Sequence, residues 1–319
     1  MKVIAYSIKP FEKELLDKAN QQRHEIRYIT AELSLGTAEY ARGYEVALVF
    51  ITDDVSAPVL EILARSGIKF VITRSVGTDH IDINTAKQLG IEVLNVPAYS
   101  PQTVAEHSVA LALALARKLI PAFDNCRKFN FKIDNFIGFR FYEKTVGIVG
   151  LGNIGLATAG IYKGMGCKVL GYDVISKSVD GIEMVDLDTL LEQSDIVSLH
   201  VPLNVDTHYL IDKEKLAKMK RGVMLINTSR GAVLKTADAI EALTSGKLGY
   251  LGLDVYEHEK DLFFEDHQFV TFKDPLLLKL LILPNVLITP HIAFLTTEAI
   301  TDIAYSVIKN LDELVPQVS

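Results

Sequence analysis

TVGIVGLGNIG, residues 145–155, decides how this chain folds. An apolar, β-rich run leads into Gly150, Gly152 and Gly155 at G-x-G-x-x-G spacing, and a helix pattern, NIGLATAGIYKGMG, follows. Glycine triplets arise by chance, but a strand before and a helix after supply the context of a dinucleotide-binding loop. Gly150 permits the tight turn, Gly152 lets a pyrophosphate approach the backbone, and Gly155 lets helix and strand pack closely. Asn153 and Ile154 open the helix whose N-terminal amides and dipole would face the phosphates. The next strand ends at Asp173, 18 positions after Gly155. A carboxylate there accepts from both adenosine-ribose hydroxyls and repels a 2′-phosphate, so NAD is expected rather than NADP.

On both sides of this loop, short apolar runs alternate with amphipathic ones. Strands are expected at 2–7, 24–29, 46–51, 69–75 and 92–97, with helices such as 11–21 and 57–67 between them. The second helix carries a Ser56 cap, Pro58 in its first turn and a terminal glycine. A long apolar helix, 101–120, interrupts the alternation; a second series then places strands at 145–150, 167–173, 195–202, 222–229, 250–255 and 285–290. Unbroken apolar strands alternating with helices indicate parallel sheets covered on both faces. The expected fold is α/β: two Rossmann- or flavodoxin-like doubly wound domains with a cleft between them. Residues 1–100 plus 295–319 would form one domain, for substrate, and 101–294 the other, for NAD. The amphipathic helix 296–314 has no strand after it and is expected to pack back onto the first domain. Residues 257–283 read as an irregular insertion.

The 319 residues suffice for two large cores, and 49% hydrophobic with 23% charged residues is ordinary for a globular protein. A net charge of −7 argues against a nucleic-acid or anionic-membrane surface, which needs clustered cations. Cys126 and Cys167 make neither a disulfide framework nor a zinc site; each is expected to be a small core residue, and no metal is expected. The start does not read as a signal peptide and no run is long enough to span a bilayer, so a cytoplasmic protein is expected.

One stretch, MLINTSRGAVL (224–234), ends an apolar strand with Arg230, a group costly to bury unpaired. Ligands bind beyond the carboxyl ends of parallel strands. The same edge of the second sheet would collect the glycine loop, Val201 and Pro202, Arg230, Asp254 with Glu257 and Glu259, and His291. Reduction of a 2-oxo acid needs such a set. Arginine's fork grips the carboxylate. Histidine supplies the proton near neutral pH, and a neighbouring carboxylate favours the charged ring and orients it. Glu257 and Glu259 both qualify by spacing. His200, inside an apolar strand, reads as structural, and His258 and His267 as exposed.

GLGNIG, INTSRGAVL, LDVYEHEKDLFFED and PNVLITPHIAFLTTEA, with VPAYSPQTVAEH and SVGTDHIDI, resemble the D-isomer-specific 2-hydroxyacid dehydrogenases, the fermentative D-lactate branch above all. The likeness covers essentially the whole chain. It implies catalytic roles for Arg230, Glu259 (not Glu257) and His291. It implies substrate contacts from the Val76 and Gly77 amides, Tyr99, Arg230 and Phe294, with Phe294 and Leu295 forming an apolar wall. Thr228, Ser229 and Asp254 would flank the nicotinamide. The implied activity is NAD-dependent interconversion of pyruvate and D-lactate, in a homodimer or higher homo-oligomer whose face includes helix 104–119. The alternatives are a reductase of another or longer 2-oxo acid and, in a different class, an NAD(H)-sensing corepressor-like protein.

Overall fold

The computed structural model describes residues 1–97, 100–175, 178–260, 262–269 and 273–318. In chain order these form β1 (Lys2–Ala5), α1 (Pro10–Asn20), β2 (Glu25–Tyr28), β3 (Val46–Val49), α2 (Ala57–Ser66), β4 (Phe70–Thr73), α3 (Ile83–Gln88) and β5 (Glu92–Leu94). There follow α4 (Pro101–Ala116), α5 (Leu119–Arg127), β6 (Thr145–Val149), α6 (Asn153–Gly164), β7 (Lys168–Tyr172), β8 (Glu183–Met184), α7 (Leu187–Gln193) and β9 (Ile196–Leu199). The chain continues with α8 (Lys213–Lys218), β10 (Val223–Asn227), α9 (Thr236–Thr244), β11 (Leu248–Leu253), α10 (Pro275–Leu281), β12 (Val286–Ile288) and α11 (Thr297–Val318). Two compact units result: Met1–Ser100 with Leu295–Ser319, and Pro101–Phe294. No helix among the described residues is long and apolar enough to cross a membrane.

In the first unit the strand order is β2-β1-β3-β4-β5, every pairing parallel. Ile4, Ala47, Val49 and Val71 point into a core with Val59, Leu60 and Leu63 of α2. α11 packs on α1. Asp312 of α11 pairs with Arg23 and with His24 Nε2 at 2.9 Å, and Asn310 Nδ2 donates to the Asn95 carbonyl at 3.0 Å.

The second unit has the order β12-β11-β10-β9-β6-β7-β8, again all parallel. Alternate side chains serve opposite cores, as the two-residue strand period requires. Val223 and Leu225 of β10 join Leu190, Leu216, Leu243 and Leu280 of the helices on one face. Met224 and Ile226 join Val109, Ala112 and Leu115 of α4 and Ala159 and Tyr162 of α6 on the other. The strand order reverses between β6 and β9, which makes their carboxyl ends the switch point where such sheets take ligands.

Several sequence expectations change. The helix expected over 101–120 stops at Ala116; Lys118 is left-handed (φ 52°) and α5 starts afresh at Leu119. The insertion 257–283 is not wholly irregular: Asp274 accepts from the Leu276 and Leu277 amides and caps α10, with Pro275 at its first position. Ser56 sits at the N-cap of α2 but makes no side-chain capping bond. Cys126 is exposed rather than in a core, because α5 buries none of its residues. β8, only two residues long, has no apolar run to announce it. Apolar stretches also outlast the hydrogen-bonded ladder, as at 195–202, where β9 ends at Leu199. The surplus residues leave the sheet at its carboxyl edge.

Candidate active site

The glycine loop joins β6 to α6. Gly150 has φ +91°, and a Cβ at Gly155 would stand 1.9 Å from the Gly150 carbonyl oxygen, so close packing of helix on strand demands glycine there. Gly152 is the N-cap of α6, with Asn153 and Ile154 next in the helix; a Cβ at Gly152 would meet nothing within 4 Å. No contact among the described residues requires that glycine; the open space lies where helix amides face outward. Asp173 follows β7 and turns back to the loop: Oδ2 accepts from Leu151 N at 2.8 Å and Oδ1 from Ile175 N at 3.0 Å. Val201 and Pro202 follow β9, beside the loop.

Beyond β10, Asn227 organises the turn that carries the cation. Its Oδ1 accepts from Ser229 N (3.0 Å) and Oγ (2.8 Å), and its Nδ2 donates to the Arg230 carbonyl at 2.9 Å. Thr228 Oγ1 is buried with no hydrogen-bond partner among the described residues. A buried hydroxyl without a partner is costly unless a ligand completes it. Arg230 itself has a partner inside the protein: Nη1 donates to the Ser229 carbonyl at 2.8 Å. A Cβ at Gly231 would lie 2.0 Å from the Tyr256 carbonyl carbon, so this glycine lets the arginine segment press against the loop beyond β11.

That loop holds the acids. Glu259 Oε1 lies 2.9 Å from His291 Nδ1, and its Oε2 accepts from Tyr256 N at 2.9 Å. A carboxylate only accepts, so Nδ1 carries the proton of this bond and Nε2 is the nitrogen left for another partner. Both side chains are mostly buried, at 13% (His291) and 23% (Glu259) exposure. Glu257 goes elsewhere, with Oε1 3.3 Å from His258 Nε2. His258 is exposed, whereas His267 is half-buried, 3.0 Å from the Leu262 carbonyl, not exposed as expected. His200 contacts Ser198 Oγ at 2.9 Å, and burial pushes its pKa down to about 4, so it is neutral at neutral pH.

Asp254, fully buried, does more than border a ligand space. Its carbonyl accepts from His291 N (2.7 Å), Oδ1 from Ile292 N (3.0 Å) and Oδ2 from Ala293 N (2.8 Å). It thereby fixes the turn in which His291 adopts φ 53°. Rings flank the imidazole: Phe264 at 6.0 Å between centroids and Phe294 at 6.5 Å, edge-on. Phe264, His107 and Thr289 escaped the sequence reading, since no spacing rule links them to His291. In the first unit, the Val76 and Gly77 carbonyls accept from Asn95 Nδ2 and Ser75 Oγ, both at 2.7 Å. Leu295 is 42% exposed and falls in that unit, and Tyr99 lies outside the described residues.

A family model for the NAD-binding domain of D-isomer-specific 2-hydroxyacid dehydrogenases matches residues 109–293. The chain belongs to this dehydrogenase family. The D-lactate dehydrogenase of Escherichia coli K12 is 41% identical to it over 98% of this chain and 97% of that protein. A structure of the pyruvate reductase of Chlamydomonas reinhardtii superposes with a TM-score of 0.92 at 42% identity, covering 99% and 96% of the two chains. The D-lactate dehydrogenase of Aquifex aeolicus, in complex with NAD and lactic acid, superposes with a TM-score of 0.89 at 34% identity, covering 99% and 96%. This 2-hydroxyacid dehydrogenase is thus an NAD-dependent oxidoreductase. Its own residues fit the cofactor: open space at Gly152, an acid after β7 and a buried hydroxyl lacking a partner at Thr228.

Proposed function

We propose that this dehydrogenase interconverts pyruvate and D-lactate. The observation that supports it best is the 2.9 Å pairing of His291 with Glu259 at the sheet edge that also carries the glycine loop and Arg230. Arg230 binds the substrate carboxylate through its planar fork. His291, with Nδ1 committed to Glu259, donates the Nε2 proton to the carbonyl oxygen of pyruvate; in the reverse direction Nε2 takes the hydroxyl proton of lactate. Bound NADH supplies the hydride that C2 accepts. Carbonyl, hydride and proton sum to the hydroxyl acid, with no further reactant. Glu259 orients the ring through Nδ1 and keeps it from turning.

In this reading Asp173 receives the adenosine ribose, and Val201, Pro202, Thr228, Ser229 and Asp254 border the cofactor. The first unit is the substrate-binding domain, contributing the Val76 and Gly77 amides and Tyr99. Phe294 gives the substrate methyl group an apolar neighbour. One methylene in such a pocket changes binding by only about 1–3 kcal/mol, so preference for pyruvate over longer acids is graded. A cytoplasmic homodimer or higher homo-oligomer completes the proposal.

The test is NADH oxidation by the purified protein with glyoxylate, hydroxypyruvate, pyruvate, 2-oxobutyrate, 2-oxoisocaproate and phenylpyruvate, with the product resolved by enantiomer. The highest kcat/KM is expected for pyruvate, with D-lactate formed. A longer acid preferred over pyruvate rejects the substrate assignment. No oxidation with any of them, despite NADH binding, favours the sensing alternative.

A further inference from the structure

We propose that His107 of α4 is a positioning residue for the reaction: through Thr289 it holds the Asp254 carboxylate that fixes the turn carrying His291. The proposal rests on the dehydrogenase mechanism above for its functional meaning, and on independent geometry for its substance.

Proton bookkeeping gives the direction of each bond. Thr289 Oγ1 lies 2.5 Å from Asp254 Oδ1 and 3.0 Å from His107 Nε2. A threonine hydroxyl has one proton, and a carboxylate oxygen can only accept. Thr289 therefore donates to Asp254 and accepts from His107, so His107 carries its proton on Nε2. That same nitrogen lies 3.3 Å from Asp254 Oδ1. His107 thus directs one N–H at both oxygens of the Thr289–Asp254 pair.

The arrangement matters because of what Asp254 holds. Its carboxylate is fully buried, a costly state unless donors surround it. Two of those donors are the Ile292 and Ala293 amides, immediately after His291, and its carbonyl takes the His291 amide. Without the Thr289 and His107 donors the carboxylate would have to move toward other partners, and the backbone at 291–293 would move with it. His107 is itself well placed to resist this. Its neighbours on α4, Val104, Ser108 and Leu111, are buried, and α4 packs against β11 and β12, the strands that lead to Asp254 and Thr289.

The experiment compares His107→Leu, which removes the donor, with His107→Gln, which retains an N–H of similar reach. Backbone hydrogen exchange at Ile292 and Ala293 is measured in the full chain alongside steady-state kinetics. In the leucine variant exchange there is expected to be about fivefold faster, the loss of one modest hydrogen bond, while β6 and β7 amides are unchanged. Its kcat is expected to fall about 10- to 100-fold with little change in pyruvate KM, because the misplaced group is the proton donor and not the carboxylate clamp. The glutamine variant should recover most of both losses. Unchanged exchange at 292–293 in the leucine variant, or equal defects in leucine and glutamine variants, overturns the proposal. Should His107→Leu fail to fold, Thr289→Val against Thr289→Ser poses the same comparison with the same criteria. Exchange needs no substrate, so wild-type inactivity on every 2-oxo acid would refute the proposed function while leaving this outcome readable.

Discussion

Arg230 and His291 divide the proposed labour between binding and proton transfer, and their variants should separate the two. Arg230→Lys keeps the charge but loses the fork, so pyruvate KM should rise about tenfold or more while NADH affinity is retained. Steady-state kinetics with a fluorescence titration of NADH checks both. His291→Ala should lower kcat by about 10²–10⁴-fold, the usual worth of a positioned proton donor, again without loss of NADH affinity. Equal loss of turnover and NADH binding would instead mark His291 as structural. These two residues, Asp173 and the glycines could be singled out as candidates because residue types with special chemistry ended apolar strands. The choice between Glu257 and Glu259 was not legible from spacing alone. The turn after β11 decides it in space, sending Glu259 to His291 and Glu257 to His258. His107 was invisible for a plainer reason: 182 residues separate it from Thr289, and only the packing of α4 under the sheet joins them.

At the level of elements, the strand positions could be read because both faces of each sheet are covered, which leaves apolar runs that few helices imitate. Boundaries could not, because residues past the last ladder bond remain buried in loops; Thr228 and Asp254 are examples. The signal for α10, Asp274 followed by Pro275 and a leucine run, stood in the sequence but inside a stretch that otherwise lacks periodicity. Two predictions belong here. Gly155→Ala places a methyl group against the Gly150 carbonyl, and neither backbone can yield easily. It should cost about 1–3 kcal/mol in stability and weaken NADH binding, as thermal melting and titration would show. His200, just beyond β9, has its pKa pushed to about 4 by burial, below the ordinary 6.5. Above pH 6.5 both folded and unfolded forms are neutral and no penalty exists. As pH falls toward 4 the unfolded chain takes up the proton first, which costs the native state about 2 kcal/mol by pH 5. His200→Gln should therefore flatten the decline of melting temperature between pH 7 and pH 5; an unchanged slope would show that other groups govern it.

Across the whole molecule, the exposed apolar residues bear on the proposed subunit contact. α4 was expected to contribute an apolar face, yet Val104, Val109, Leu111 and Leu115 are spent inside their own chain. The exposed apolar surface lies just beyond, at Leu119 and Phe123 of α5 and at Phe129, Ile133 and Ile137, with Phe129 86% exposed. Large apolar side chains exposed together along one stretch of chain are where an interaction surface is sought. In the oligomeric form proposed above, this is the expected contact. Phe123→Glu combined with Ile133→Glu should shift the protein to a smaller species in sedimentation velocity, and an unchanged sedimentation coefficient would place the contact elsewhere.

The docking of α11 on α1 carries a consequence for how the protein is made. While residues 101–294 are still being translated, residues 1–100 have emerged but lack the helix that covers α1. The contiguous unit 101–294 can complete itself meanwhile; the earlier one must wait for residues 295–318. A chain cut short before residue 297 would therefore injure the unit that residues 1–100 build, far in sequence from the lesion.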